Sequence, residues 1–253
     1  MTADREERVT PRPPDIAGQT VVVIGASAGI GRETARQVRA GGGRLVLVGR
    51  NPDRLEEAAR ELRPVATAAF DASDGGRLAE FFENLSGPVD HILLTAGSPA
   101  YMPLDTMDLA EASRAFAQRL SMTLGVALGS RDKVRAGGTL IFIGGTGGRR
   151  PGPGMAVVGA MTAALPALTA NLALELAPIR ANLIAPGFVD TPLSAALLGD
   201  RLEARREELR RTLPIGRVVG PGDVAALAVH VMVNEALTGA TFDVDGGQQL
   251  VAP

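Results

Sequence analysis

Three glycines, Gly25, Gly29 and Gly31, stand in the run Thr20-Val21-Val22-Val23-Ile24-Gly25-Ala26-Ser27-Ala28-Gly29-Ile30-Gly31-Arg32. Missing side chains let a chain turn tightly and let a bulky oxyanion come close. The five residues before the turn are all β-branched, which reads as a buried parallel strand. A helix is expected to begin near Ile30. Helix N-termini leave N–H groups unpaired and carry partial positive charge. Gly25, Ser27, Ala28, Gly29, Ile30 and Gly31 are therefore expected to cradle a phosphate or pyrophosphate. A purely structural turn would use the same glycines, but a strand before and a helix after favour the cradle.

Later strand ends offer further groups. The run Leu47-Val48-Gly49-Arg50-Asn51 lacks the acidic residue that commonly bonds a ribose 2′-hydroxyl, and Arg50 can pair with a 2′-phosphate instead. That points to NADP(H) over NAD(H), with a solvated loop arginine as the plain alternative. Asp71 can accept a hydrogen bond from an adenine amino group or act as a turn residue. The loop after Thr95-Ala96-Gly97 carries Ser98 and Tyr101, the only tyrosine of the chain. Arg149 and Arg150 read as a solvated pair or as holders of an anionic substrate.

These residues need elements to position them. Strands are expected at Thr20–Ile24, Arg44–Val48, Val65–Phe70, Val89–Thr95, Gly138–Gly144, Arg180–Ala185 and Ala240–Val244. Between them, helices are expected at Ile30–Ala40, Pro52–Leu62, Gly75–Leu85, Asp108–Gly129, Met155–Leu176, Leu193–Arg211 and Pro221–Asn234. The alternation predicts an α/β fold: a single Rossmann-type, doubly wound domain over 18–253, with a seven-stranded parallel sheet flanked by helices. Its ligand would lie outside the C-terminal strand ends. Residues 1–17, charged and proline-rich, are expected to form a disordered extension. A substrate lid is expected over about 188–213.

Composition narrows the partners. A net charge of -2, with no basic run longer than the pairs Arg149-Arg150, Arg205-Arg206 and Arg210-Arg211, argues against nucleic acid and anionic membranes. The absence of cysteine removes thiolate metal sites and cysteine nucleophiles, and two histidines are too few for a multi-histidine cluster, so no metal is expected. No apolar run reaching about 18 residues is evident, and no signal-peptide pattern opens the chain. A cytoplasmic location is expected.

Over about Ala17 to Val251 the chain resembles the short-chain dehydrogenase/reductase family. The likeness rests on the glycine turn, Thr95-Ala96-Gly97, Asp71, and the stretch Ile179-Arg180-Ala181-Asn182-Leu183-Ile184-Ala185-Pro186-Gly187 with Val189-Asp190-Thr191-Pro192. The last strand, Thr238 to Gly247, completes it. The resemblance implies a nicotinamide dinucleotide held by Asp71, Ala72, Ala96, Gly97, Thr162, Pro186, Gly187, Val189 and Thr191, besides the glycine turn. It also implies self-association as a homodimer or homotetramer.

The family's catalytic serine, tyrosine and lysine fall on Gly145, Val158 and Thr162, and Arg119-Leu120-Ser121-Met122-Thr123 occupies the region of its asparagine. Valine transfers no proton, and threonine brings no positive charge. Thr162 can still bond a ribose hydroxyl. Thr146, Tyr101, Ser98, Asp190 and water remain as proton sources. The expectation is an NADP(H)-dependent oxidoreductase that reduces a small organic substrate through a non-standard site. A catalytically silent nucleotide-binding sensor or scaffold is the alternative.

Overall fold

The computed structural model describes residues 15–251. Most of the expected disordered stretch 1–17 lies outside the described residues. Its last part is ordered, because the apolar Ile16 is 4% exposed and fits beside Gly41, while Asp15 accepts a hydrogen bond from the Ala17 N–H.

The strands are β1 (Thr20–Ile24), β2 (Arg44–Gly49), β3 (Ala66–Ala69), β4 (Val89–Leu94), β5 (Val134–Ile143), β6 (Arg180–Pro186) and β7 (Thr241–Val244). All pair in parallel, in the order β3-β2-β1-β4-β5-β6-β7. Five helices follow the expected pattern closely: α1 (Gly29–Ala40), α2 (Pro52–Leu62), α3 (Gly75–Asn84), α4 (Leu109–Ser130) and α5 (Ala156–Glu175). Beyond β6 come α6 (Pro192–Leu198), α7 (Leu202–Thr212) and α8 (Pro221–Val233).

Strand side chains alternate between two aliphatic cores, as the pleat requires. Val22, Ile24, Ile92, Leu94, Leu140 and Phe142 face α3, α4 and α5. Val21, Val23, Leu93, Ile141 and Ile143 face α1, α2 and α8. With both faces covered, the strands carry continuous apolar runs, and fully burying each Val, Leu or Ile contributes roughly 1.5–3 kcal/mol. The strand order reverses between β1 and β4, which opens a crevice at their C-terminal ends. There Gly25 and Ala26 donate to Val48 O at 2.9 and 3.0 Å, and Thr95 and Ala96 donate to Ile24 O at 2.8 and 3.1 Å.

Three expectations change. The lid helix expected over Leu193–Arg211 is two helices, because Gly199 at φ +53° interrupts it with a short 3-10 turn. Strand β5 begins at Val134 rather than Gly138, continuing through a register shift against β4 with Gly137 at φ +77°. Finally, α5 is long and apolar enough by length and composition to cross a membrane, at a mean hydropathy of 1.6. Its Val158, Met161, Leu165 and Leu172 are buried in this fold.

Candidate active site

The turn between β1 and α1 is built for close approach. Gly25 has φ +101°, and a Cβ there would overlap Thr95 Oγ1. A Cβ on Gly31 would run into the Gly25 carbonyl, so Gly31 seats the helix against the turn. Helices α2, α3 and α4 are capped by the side chains of Asn51, Asp74 and Asp108. Helix α1 has no such cap: Ala28 offers no acceptor, so its first-turn N–H groups have no side-chain partner. A pyrophosphate fits this opening.

Below the turn runs a cleft of about 800 Å³. Gly25, Ser27, Ala28, Arg50, Asp71, Ala72, Ala96, Gly97 and Tyr101 line it. Gly29 and Gly31 do not line it, since both work within the turn. Arg50 is 82% exposed and sits 3.6 Å from Asp71, a loose ion pair. Asp71 Oδ1 accepts from Ser73 N–H at 2.9 Å and from its hydroxyl at 2.8 Å. The two bonds, the backbone one foremost, hold the Asp71 carboxyl below its ordinary range. Asp71 is thus a turn residue, and its Oδ2 faces Arg50.

A second cavity, about 880 Å³, continues from the first. Ile30, Thr146, Val158, Thr162, Pro186, Gly187, Val189 and Thr191 line it, together with Leu193, Leu197 and Arg201 from the α6–α7 segment. Gly97, Tyr101 and Arg119 line both cavities. Gly145, Val158 and Thr162 meet here, with a Cβ on Gly145 falling 3.4 Å from Thr162 Cγ2. Thr162 Oγ1 is engaged by its own helix, donating toward Val158 O at 2.9 Å and lying 3.1 Å from Gly159 O. Thr191 caps α6 through a reciprocal pair with Ser194. Buried Gln248 accepts from Phe188 N–H at 2.8 Å and fixes the chain around Gly187.

The candidate proton sources divide. Thr146 is buried at the cavity wall, and Ser98 and Tyr101 also reach it. Tyr101 as a residue is 53% exposed, yet desolvation pushes its hydroxyl pKa up, so the phenol stays protonated at neutral pH. Asp190 is excluded, because it lines neither cavity and is clamped by Arg206 at 2.8 and 3.0 Å. Arg149 is likewise engaged, forming a two-bonded pair with Asp243, while Arg150 lines the second cavity.

Arg119 is the residue that sequence reasoning passed over. It projects from α4 against Gly97, and its Nη1 donates to Ala96 O at 3.0 Å while Nη2 donates to Ile143 O. Desolvation lowers its pKa to about 10, so it remains a cation at neutral pH.

Residues 25–249 match the family described as enoyl-(acyl carrier protein) reductase. The chain is also 27% identical to the short-chain dehydrogenase/reductase malC of Malbranchea aurantiaca, over 93% of this chain and 96% of that one. The chain belongs to the short-chain dehydrogenase/reductase family. A further relative is 3beta-hydroxysteroid dehydrogenase 1 of Eggerthella lenta, 33% identical over 93% of this chain and 95% of its own. The solved MalC reductase/Diels-Alderase from Malbranchea aurantiaca superposes at a TM-score of 0.86, with 26% identity, covering 94% of this chain and all of that one. A small-chain dehydrogenase solved in complex with NADPH superposes at 0.79, with 28% identity, covering 92% of this chain and 99% of that one. The expected Rossmann-type sheet and the oxidoreductase family both hold.

Proposed function

We propose that this short-chain dehydrogenase/reductase is an NADP(H)-dependent oxidoreductase that reduces a small organic substrate without the family's serine, tyrosine and lysine. The observation that carries the reading is the meeting of the two cavities at Gly97, Tyr101 and Arg119. A dinucleotide lying along the first would bring its reactive end to the second. When bound, the cofactor supplies a hydride to an electrophilic carbon.

The chain's own residues do the rest. The uncapped α1 turn from Gly25 to Gly31 holds the pyrophosphate, and Arg50 holds the 2′-phosphate, with Asp71 and Ala72 beside the adenine. Ala96, Gly97, Pro186, Gly187, Val189 and Thr191 shape the nicotinamide end, where Thr162 stands in the lysine's place. Val158 makes the tyrosine position apolar and keeps water from that wall. Thr146, Tyr101 or water delivers the proton. The α6–α7 segment, with Leu193 and Leu197 on the cavity, serves as the lid. The NADPH complex among the similar structures supports the cofactor assignment.

Self-association belongs to the same reading. The exposed side of α5 carries Ala160, Ala163, Ala164, Ala167, Ala170 and Leu174, and Leu174 is 80% exposed. Its apolar surface suits a second copy as a homodimer or homotetramer.

The test is titration with NADPH and NADH by nicotinamide fluorescence, followed by NADPH oxidation over ketones, enones, imines and quinones. Tight NADPH binding with turnover on one class is expected. Binding without turnover on any class favours a silent sensor. Thr162's engagement with its own helix and the missing proton donor at Val158 give that second reading its basis. Failure to bind either nucleotide overturns the cradle.

A further inference from the structure

Two arginines are drawn into this fold away from carboxylates, and they differ. Arg180 is buried, and its guanidinium donates to the carbonyls of Gly137, Val231, Met232, Asn234 and Leu237. Its donors are used up in holding the chain that enters β7. Arg119 carries the same five N–H donors but gives only two hydrogen bonds, one to Ala96 O and one to Ile143 O. Among the described residues no carboxylate lies within ion-pair distance of it. A desolvated cation without an anion is costly unless something supplies the anion. The two carbonyls close the ends of β4 and β5, so the guanidinium is fixed at the junction of the two cavities.

The charge differs between the two cavities that Arg119 joins: Arg50 faces Asp71, Asp108 and Glu111 in the first, and arginines predominate in the second. Arg119, Arg150, Arg201 and Arg205 line the second cavity against a single carboxylate, Glu208, which pairs with Arg205 at 2.7 Å. None of the three hydroxyl or ammonium positions of the family's relay offers a free donor here: Gly145 and Val158 have none, and the Thr162 hydroxyl is committed to its helix.

Resting on the reading of this site as a reductase, we propose that Arg119 is a catalytic residue that holds the substrate's reacting oxygen. Hydride addition to the carbonyl carbon moves the C=O π pair onto oxygen. The resulting alkoxide is met by the free N–H groups of Arg119, whose charge is opposite to the one that develops. Water then protonates the alkoxide and leaves hydroxide, so ketone, NADPH and water give alcohol, NADP⁺ and hydroxide.

The test uses benzoate as a carboxylate probe of the alkoxide position, titrated by calorimetry into the wild type, Arg119→Gln and Arg119→Lys, each with and without NADP⁺. Thermal unfolding and NADPH affinity are measured on the same preparations. Arg119→Gln should weaken benzoate binding at least about tenfold while leaving NADPH affinity within about threefold. Arg119→Lys, which keeps the charge but loses the fork, should fall between and serves if the glutamine variant is unstable. Equal benzoate affinity in the wild type and a folded variant overturns the proposal. Loss of NADPH binding in the wild type would instead count against the reductase reading, and the cofactor-free benzoate titration still judges Arg119.

Discussion

Replacing Arg50 with alanine is the sharpest probe of cofactor choice. The side chain is 82% exposed, and its only ionic contact among the described residues is the 3.6 Å pair with Asp71, itself 45% exposed. Such a pair contributes about 0–1 kcal/mol, so Arg50→Ala should remain folded with unfolding close to that of the wild type. A charge-assisted hydrogen bond from Arg50 to a 2′-phosphate contributes about 1.5–3 kcal/mol. Losing it raises the Kd for NADPH by about 10- to 150-fold. NADH has no 2′-phosphate, so its Kd should move by less than about threefold. Salt should imitate the mutation, since an exposed phosphate–guanidinium contact is screened as ionic strength rises. The assay is nicotinamide fluorescence with both nucleotides at low and high salt. Equal losses for NADPH and NADH would refute the assignment of Arg50 to the phosphate.

Other outcomes follow from the same structure. Gly31→Ala places a methyl group against the Gly25 carbonyl, so it should cost about 1–3 kcal/mol in thermal unfolding and weaken NADPH and NADH alike; unchanged affinity for both would contradict the close-packed turn. His91 is 1% exposed, bonds Gln19 through Nε2 at 2.5 Å and leaves Nδ1 unpartnered. Burial lowers its pKa to about 3, so the folded state keeps it neutral, and its contribution is complete above an unfolded pKa near 6.5 and lost as pH falls toward 3. Denaturant titrations should show His91→Gln losing less stability than the wild type between pH 6.5 and 4, where the histidine contributes on the order of 1.4 kcal/mol per pH unit; parallel curves would contradict this. Leu174→Arg should lower the mass seen by light scattering without a drop in NADPH affinity, and an unchanged mass would remove α5 from the self-association surface.

Much of the fold was legible because local pattern and tertiary role agree. The β-branched run Thr20–Ile24 and helix Pro52–Leu62 have the same bounds in sequence and structure, the helix being fixed by the Asn51 cap and Pro52. Where they disagree, tertiary contacts decide. The run Val134-Arg135-Ala136-Gly137 lies outside the expected strand Gly138–Gly144, yet pairing with β4 draws it into β5. Ile16 sits in a polar, proline-rich stretch but completes a core. The glycine turn was legible because its signal is backbone geometry, which glycine spacing reports directly. Arg119 was not, because a lone arginine on a long helix looks solvated until its side chain is seen turning under Gly97 toward Ala96 O. The proximity of Gly145, Val158 and Thr162 joins residues from two elements, so only the resemblance anticipated it.

The central claim, hydride transfer from NADPH at a site without the family's usual proton relay, has one direct measurement. The wild-type protein is incubated with NADPH carrying deuterium at the transferred position of the nicotinamide C4 and with a panel of ketones and enones, and products are read by mass spectrometry and NMR. Deuterium bonded to the former electrophilic carbon, in amounts matching NADP⁺ formed, is the predicted result. Saturable NADPH binding with no label in any product would contradict it.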